Sequence, residues 1–283
     1  MPRGVTPRQP ARTGRHEGVR QSGRVKISTA PRSAPRIESG RPHTDRSGSA
    51  VGKLRRTTAY NPIASERVDE ILKRLDSLYP GVTCALQHKN AWELLVATIL
   101  SAQSTDVRVN MVTPELFRKY PTVQDFAALK PEQLQPDIRS TGFFRNKSKS
   151  VIGAAKKIVS DFGGQVPDQM EQILTLPGVA RKTANVVLGT WFGKAEGLVV
   201  DTHVHRVSRR LELTRNHEPK KIEQDLMKII PQDKWTLFAH QVIWHGRKLC
   251  IARRPKCVDC LLENVCHAAD KTWSTVEIHK NAK

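Results

Sequence analysis

The chain has 283 residues, enough for about two domains of ordinary size and for a core that needs no disulfide to reach a stable size. It carries 47 Lys and Arg against 27 Asp and Glu, a net charge of +20, and such an excess points to a polyanionic partner. The strongest apolar run, 93–100, is far shorter than the roughly 18 residues of a membrane span. Residues 1–59 hold no apolar core of the kind a signal peptide needs, so neither a membrane span nor Sec-type export is expected. Of the two polyanionic partners, nucleic acid and an anionic membrane surface, the motifs below favour nucleic acid over a membrane.

Residues 1–59 hold 14 Lys and Arg against 3 Asp and Glu, with 6 Pro, 7 Gly and hardly any large apolar side chain. Such a segment buries too little surface to offset chain entropy and is expected to be a disordered basic tail. It reads either as a nonspecific nucleic-acid tether or as a solvated extension without a task. Its Arg and Ser content also fits an organelle transit peptide, although Pro and Gly weigh against the amphipathic helix that such peptides form.

From Ser65 onward the spacing is helical. Val68, Ile71, Leu72, Leu75 and Leu78 recur at the 3.6-residue period, with Ser65 placed to cap the helix. Further helices are expected over 91–102, apolar on most sides and therefore central, and over 108–119, 123–128 and 147–161. Others follow over 170–174, 181–190, 202–211, 219–230 and 235–250. Strand alternation is almost absent, so the chain is expected to be all-α.

Leu176-Pro177-Gly178-Val179-Ala180-Arg181-Lys182-Thr183-Ala184-Asn185 lies between two helical patterns. Pro-Gly makes a tight turn with Gly178 at positive φ, and the helix that follows presents unpaired N–H groups to an anion. Arg181 and Lys182 fall in its first turn, where cations oppose the helix dipole by roughly 0.3–1 kcal/mol each. One gain that offsets this is a bound phosphate. Another is an amine less inclined to hold a proton, hence a nucleophile. Nineteen residues later, Asp201 follows a short apolar run and precedes a helix, as an N-cap carboxylate does.

Of five cysteines, Cys84 stands alone and Cys250, Cys257, Cys260 and Cys266 follow the spacing x6, x2, x5. In a chain without an export signal these thiols read as a metal site in a reducing, cytoplasmic setting. Packed thiolates select zinc or iron–sulfur, and a single Cys-x2-Cys pair favours iron–sulfur over zinc. Arg247, Lys248, Arg253, Arg254 and Lys256 surround the first loop, which is either a solvated basic loop or a metal-braced surface for phosphates.

The hairpin, Val200-Asp201-Thr202-His203 and the cysteine spacing together resemble the endonuclease III family of the helix-hairpin-helix DNA glycosylase superfamily. Leu100-Ser101-Ala102-Gln103-Ser104-Thr105-Asp106 and Thr141-Gly142-Phe143-Phe144-Arg145-Asn146-Lys147 match as well, and the likeness runs over about 60–267. The resemblance implies two helical lobes flanking a DNA groove: a six-helix barrel with the helix-hairpin-helix over 84–195, and an iron–sulfur lobe from 60–83 and 196–268. A C-terminal tail over 269–283 would follow. It further implies a base-excision glycosylase and abasic-site lyase acting on oxidised pyrimidines in duplex DNA, a monomer working at the nucleoid.

Lys182 would then be the amine nucleophile and Asp201 the carboxylate that assists base departure. Gln103 and Phe143 would fill the gap left by the flipped nucleotide. Lys147, Gly178, Ala180, Arg181 and Thr183 would contact DNA, and the four clustered cysteines would hold a [4Fe-4S] cluster. Ala180 stands where many members have a second hairpin glycine, and Phe143 where Leu is common. The spacing from Lys182 to Asp201 is one residue longer than usual, as an insertion near 194–197 would make it. The rival readings are a monofunctional adenine or mismatch glycosylase, which generally lacks the lysine, and a noncatalytic iron–sulfur DNA-binding protein, which needs neither Lys182 nor Asp201.

Overall fold

The computed structural model describes residues 60–272, and among them eleven α-helices and no strand occur. The basic segment 1–59 and residues 273–283 lie outside the described residues. Helix α1 (Ser65–Leu78) turns Val68, Ile71, Leu72 and Leu75 inward, and burying each is worth about 1.5–3 kcal/mol. Ser65 is its first residue and not its cap; Ala64 takes that position and offers no side-chain bond.

Helix α2 (Ala91–Ser101) is capped by Asn90, whose side chain accepts from the Glu93 amide at 2.8 Å, and it is buried on most sides. Thr105 caps α3 (Asp106–Lys119), which begins two residues earlier than its apolar spacing indicates. Thr122 and Asp125 cap α4 (Val123–Ala128) reciprocally. Helix α5 (Pro131–Ile138) has no counterpart in the apolar pattern, because only Leu134 and Ile138 are buried and Pro136 stands inside it. Pro131 nonetheless suits the first helical position, where an N–H would be unpaired.

Helix α6 (Phe144–Asp161) begins three residues before its expected start. The one-turn α7 (Met170–Ile173) is followed by α8 (Arg181–Thr190), α9 (Thr202–Arg210), α10 (Pro219–Ile229) and α11 (Trp235–Lys248).

The buried apolar side chains form two cores. The first gathers α2 to α8, with Leu94, Leu95 and Leu100 of α2, Phe126 of α4 and Ile158 of α6 at its centre. The second joins α1 to α9, α10 and α11, with Leu262 beneath the cysteine loop. One lobe is therefore continuous in sequence, and the other is assembled from both sides of it. Ordered contacts extend past the boundary expected at 268. Asp270 pairs with Arg210 at 2.5 Å, and the Thr272 amide donates to Cys257 Sγ at 3.4 Å.

Candidate active site

The hairpin between α7 and α8 is seated on α6. Gly178 has φ +77°, and a Cβ there would come within 2.4 Å of Ser150 Cβ, so both backbone and space require glycine. Gly178→Ala should cost roughly 1–3 kcal/mol from the backbone alone and weaken DNA binding. An unchanged Tm with unchanged affinity would contradict this fit. Ala180 has φ −98° and ψ 169°, an extended conformation that alanine adopts freely, so the missing glycine carries no penalty. Ala180 is also the N-cap of α8 and supplies no side-chain acceptor, which leaves the helix's first N–H groups open to an anion.

Lys182, the second residue of α8, is exposed, as are Gly178, Ala180 and Arg181, while Thr183 is half-buried. Arg181 is not wholly free for phosphate: its Nε lies 3.3 Å from both carboxylate oxygens of Glu223 on α10. Glu223 also accepts from Asn185 Nδ2 at 3.0 Å, which ties α8 to the second lobe. Asp201 is the N-cap of α9, its Oδ1 accepting from the His203 and Val204 amides at 2.8 Å each. The cap expectation and a catalytic carboxylate are compatible, since Oδ2 remains available.

Lys182 from the first lobe and Asp201 from the second line one cavity of about 110 Å³. Ser101, Asp106, Asn185, His240 and Arg247 share its wall. Across it, Arg247 Nη2 of α11 meets Asp106 Oδ2 of α3 at 2.6 Å, a bridge between lobes. The two residues are 141 apart in sequence, and neither has a periodicity or motif that pairs it with the other. Burial holds the His240 imidazole below its ordinary range, which favours the neutral ring.

Gln103 and Phe143 stand on exposed loops, one after α2 and one before α6. Both are held in the left-handed region, at φ +54° and +49°, uncommon for residues with a side chain. Phe143 keeps 59% of its surface exposed. Lys147 does not join this surface. Only 5% exposed, it donates from Nζ to the carbonyls of Leu100 and Thr141, at 2.7 Å each. Its ammonium is thus taken up by main-chain carbonyls and not presented at the surface.

Cys250, Cys257, Cys260 and Cys266 line a separate pocket with Leu262, while Cys84 sits in the wall of the Lys182 cavity. Burial and the neighbouring thiols push Cys260 up to about 11, and burial raises Cys266 as well. Four sulfurs crowded into one pocket fit a polycationic centre. Among the described residues no three His, Cys, Asp or Glu close on a single metal ion. The His245 ring lies 3.6 Å from Cys260 Sγ, and burial pushes it down to about 4. Of the basic residues in the loop, Arg253, Arg254 and Lys256 are exposed, whereas Arg247 is engaged with Asp106. No helix among the described residues is long and apolar enough to cross a membrane.

Residues 96–232 match the HhH-GPD superfamily base excision DNA repair protein family. Endonuclease III of Synechocystis is 54% identical over 204 residues, covering 72% of this chain and 93% of that one. Endonuclease III of Bacillus subtilis is 41% identical over 73% and 94% of the two chains. Among solved structures, a trapped endonuclease III–DNA covalent intermediate superposes with a TM-score of 0.68 at 40% identity, covering 72% of this chain and 96% of that one. The hairpin, the two-lobed cavity and the extent of this likeness agree, and the chain belongs to the endonuclease III family.

Proposed function

We propose that the chain is a bifunctional DNA glycosylase and abasic-site lyase that removes oxidised pyrimidines from duplex DNA. One observation carries the reading: an amine and a carboxylate, each at a helix N-terminus and each from a different lobe, line the same cavity. A damaged nucleotide turned out of the duplex would meet both. Lys182 Nζ bonds to C1′ while the C1′–N bond to the base breaks and the base departs with a proton. The sugar ring then opens to an imine on Lys182. Loss of a C2′ proton expels the 3′ phosphate, and water releases the enzyme. The Asp201 charge stabilises the cationic sugar as the base leaves. A monofunctional glycosylase would use water and would have no use for Lys182.

The open amides of α8 and the Gly178 turn support a role as the phosphate anchor. Duplex DNA with damaged pyrimidines or abasic sites is the partner, bound by a monomer at the nucleoid. The test is a panel of duplexes bearing an oxidised pyrimidine, an oxidised purine or a mismatched adenine. Strand nicks at the pyrimidine with no other enzyme present are expected. Base release without nicks, or a preference for adenine, would overturn the reading.

Cys250, Cys257, Cys260 and Cys266 would hold a [4Fe-4S] cluster, whose iron would draw the four thiols together and brace the basic loop beside the DNA. Purified protein should be yellow-brown and contain iron. Cys260→Ser should lose the colour and Cys84→Ser should keep it. A colourless, active protein with one zinc would refute the assignment.

A further inference from the structure

We propose that Lys147 is a positioning residue that joins the Gln103 and Phe143 loops into one double wedge. The inference rests on the reading of those two residues as the ones that fill the vacated space in the duplex. The Lys147 ammonium is buried without a carboxylate partner, its two hydrogen bonds going to main-chain carbonyls. A buried cation is costly, and folds retain one where its hydrogen bonds serve a purpose. Here each carbonyl lies at the root of a wedge loop.

Leu100 O is one of the last, unpaired carbonyls of α2, where the negative end of the helix dipole favours a cation, and Gln103 follows three residues later. Thr141 O precedes Gly142 and Phe143, and these two residues carry consecutive positive φ angles of +73° and +49°. Gly142, with ψ 161°, occupies a region that only glycine reaches without strain. Two loops from different parts of the chain, each with a left-handed residue at its tip, thus share one lysine as their joint. Burial lowers the basicity of this amine, in keeping with an interior strut and not a phosphate contact.

The experiment is a mutant cycle on the full-length protein. Lys147→Met, similar in length but without donors, should slow excision from an oxidised-pyrimidine duplex by about ten- to a hundredfold, the scale of a misplaced positioning group. Cleavage of a single-stranded abasic oligonucleotide, where no pair has to open, should stay within about twofold. In a Gln103→Ala/Phe143→Ala background, Lys147→Met should cost less than about twofold, because the wedge it positions is gone.

Full additivity, or excision by Lys147→Met at the wild-type rate, would overturn the proposal while leaving the lyase reading intact. If Gln103→Ala and Phe143→Ala excise normally, the wedge reading itself falls and the proposal with it. Should Lys147→Met fail to fold, as judged by circular dichroism, Lys147→Arg carries the same cycle.

Discussion

Lys182→Gln should abolish both base excision and strand cleavage while leaving the protein folded and able to bind DNA. On the proposed mechanism this amine forms the bond to C1′, so the loss expected is orders of magnitude in single-turnover rate and not a change in KM. Binding should survive because Lys182 is one exposed cation among several. The Gly178 turn and the uncapped amides of α8 remain in place. Helix α8 should also persist, since Ala184, Val187 and Leu188 hold it in the first core. Quantitation of released base and of nicked strand in the same reaction checks this. Excision that survives while nicking disappears would mean that water removes the base and that the nucleophile has been misassigned.

Asp201→Asn should separate the two halves of the reaction. The amide keeps an oxygen for the His203 and Val204 N–H groups, so α9 should remain capped and the fold intact. What disappears is the negative charge beside the sugar, and excision should fall by about 10²–10³, as when a charge-stabilising group is removed. Cleavage at a preformed abasic site should suffer less, because no base has to leave. Equal losses on both substrates would point to misfolding or to a role for Asp201 in the elimination itself.

Much of this architecture is legible in the sequence. Helices α1 and α8 to α11 carry apolar periodicity, α2 is marked by its nearly continuous apolar run, and the Pro-Gly turn and the Asp201 cap have local chemical signatures. The failures are equally local in origin. Helix α5 escaped because Pro131 and Pro136 leave only Leu134 and Ile138 to mark its buried face. The apolar spacing places the start of α6 at Lys147, but Phe143 in the left-handed region starts it at Phe144.

Lys147 belongs to the motif that contains Phe143, and a lysine in a strongly basic chain invites a phosphate contact. Only burial and its two carbonyl partners reveal that it points inward. The pairs Arg247–Asp106 and Arg181–Glu223 join distant segments across the lobes, and nothing in local sequence encodes which cation meets which carboxylate.

The most direct measurement is borohydride reduction of the wild-type protein during turnover of a duplex carrying one oxidised pyrimidine, followed by peptide mapping of the adduct. A Schiff base on Lys182 predicts one covalent protein–DNA species, with the sugar remnant on the peptide that contains Lys182. Base release with no adduct, or an adduct on any other amine, would contradict it.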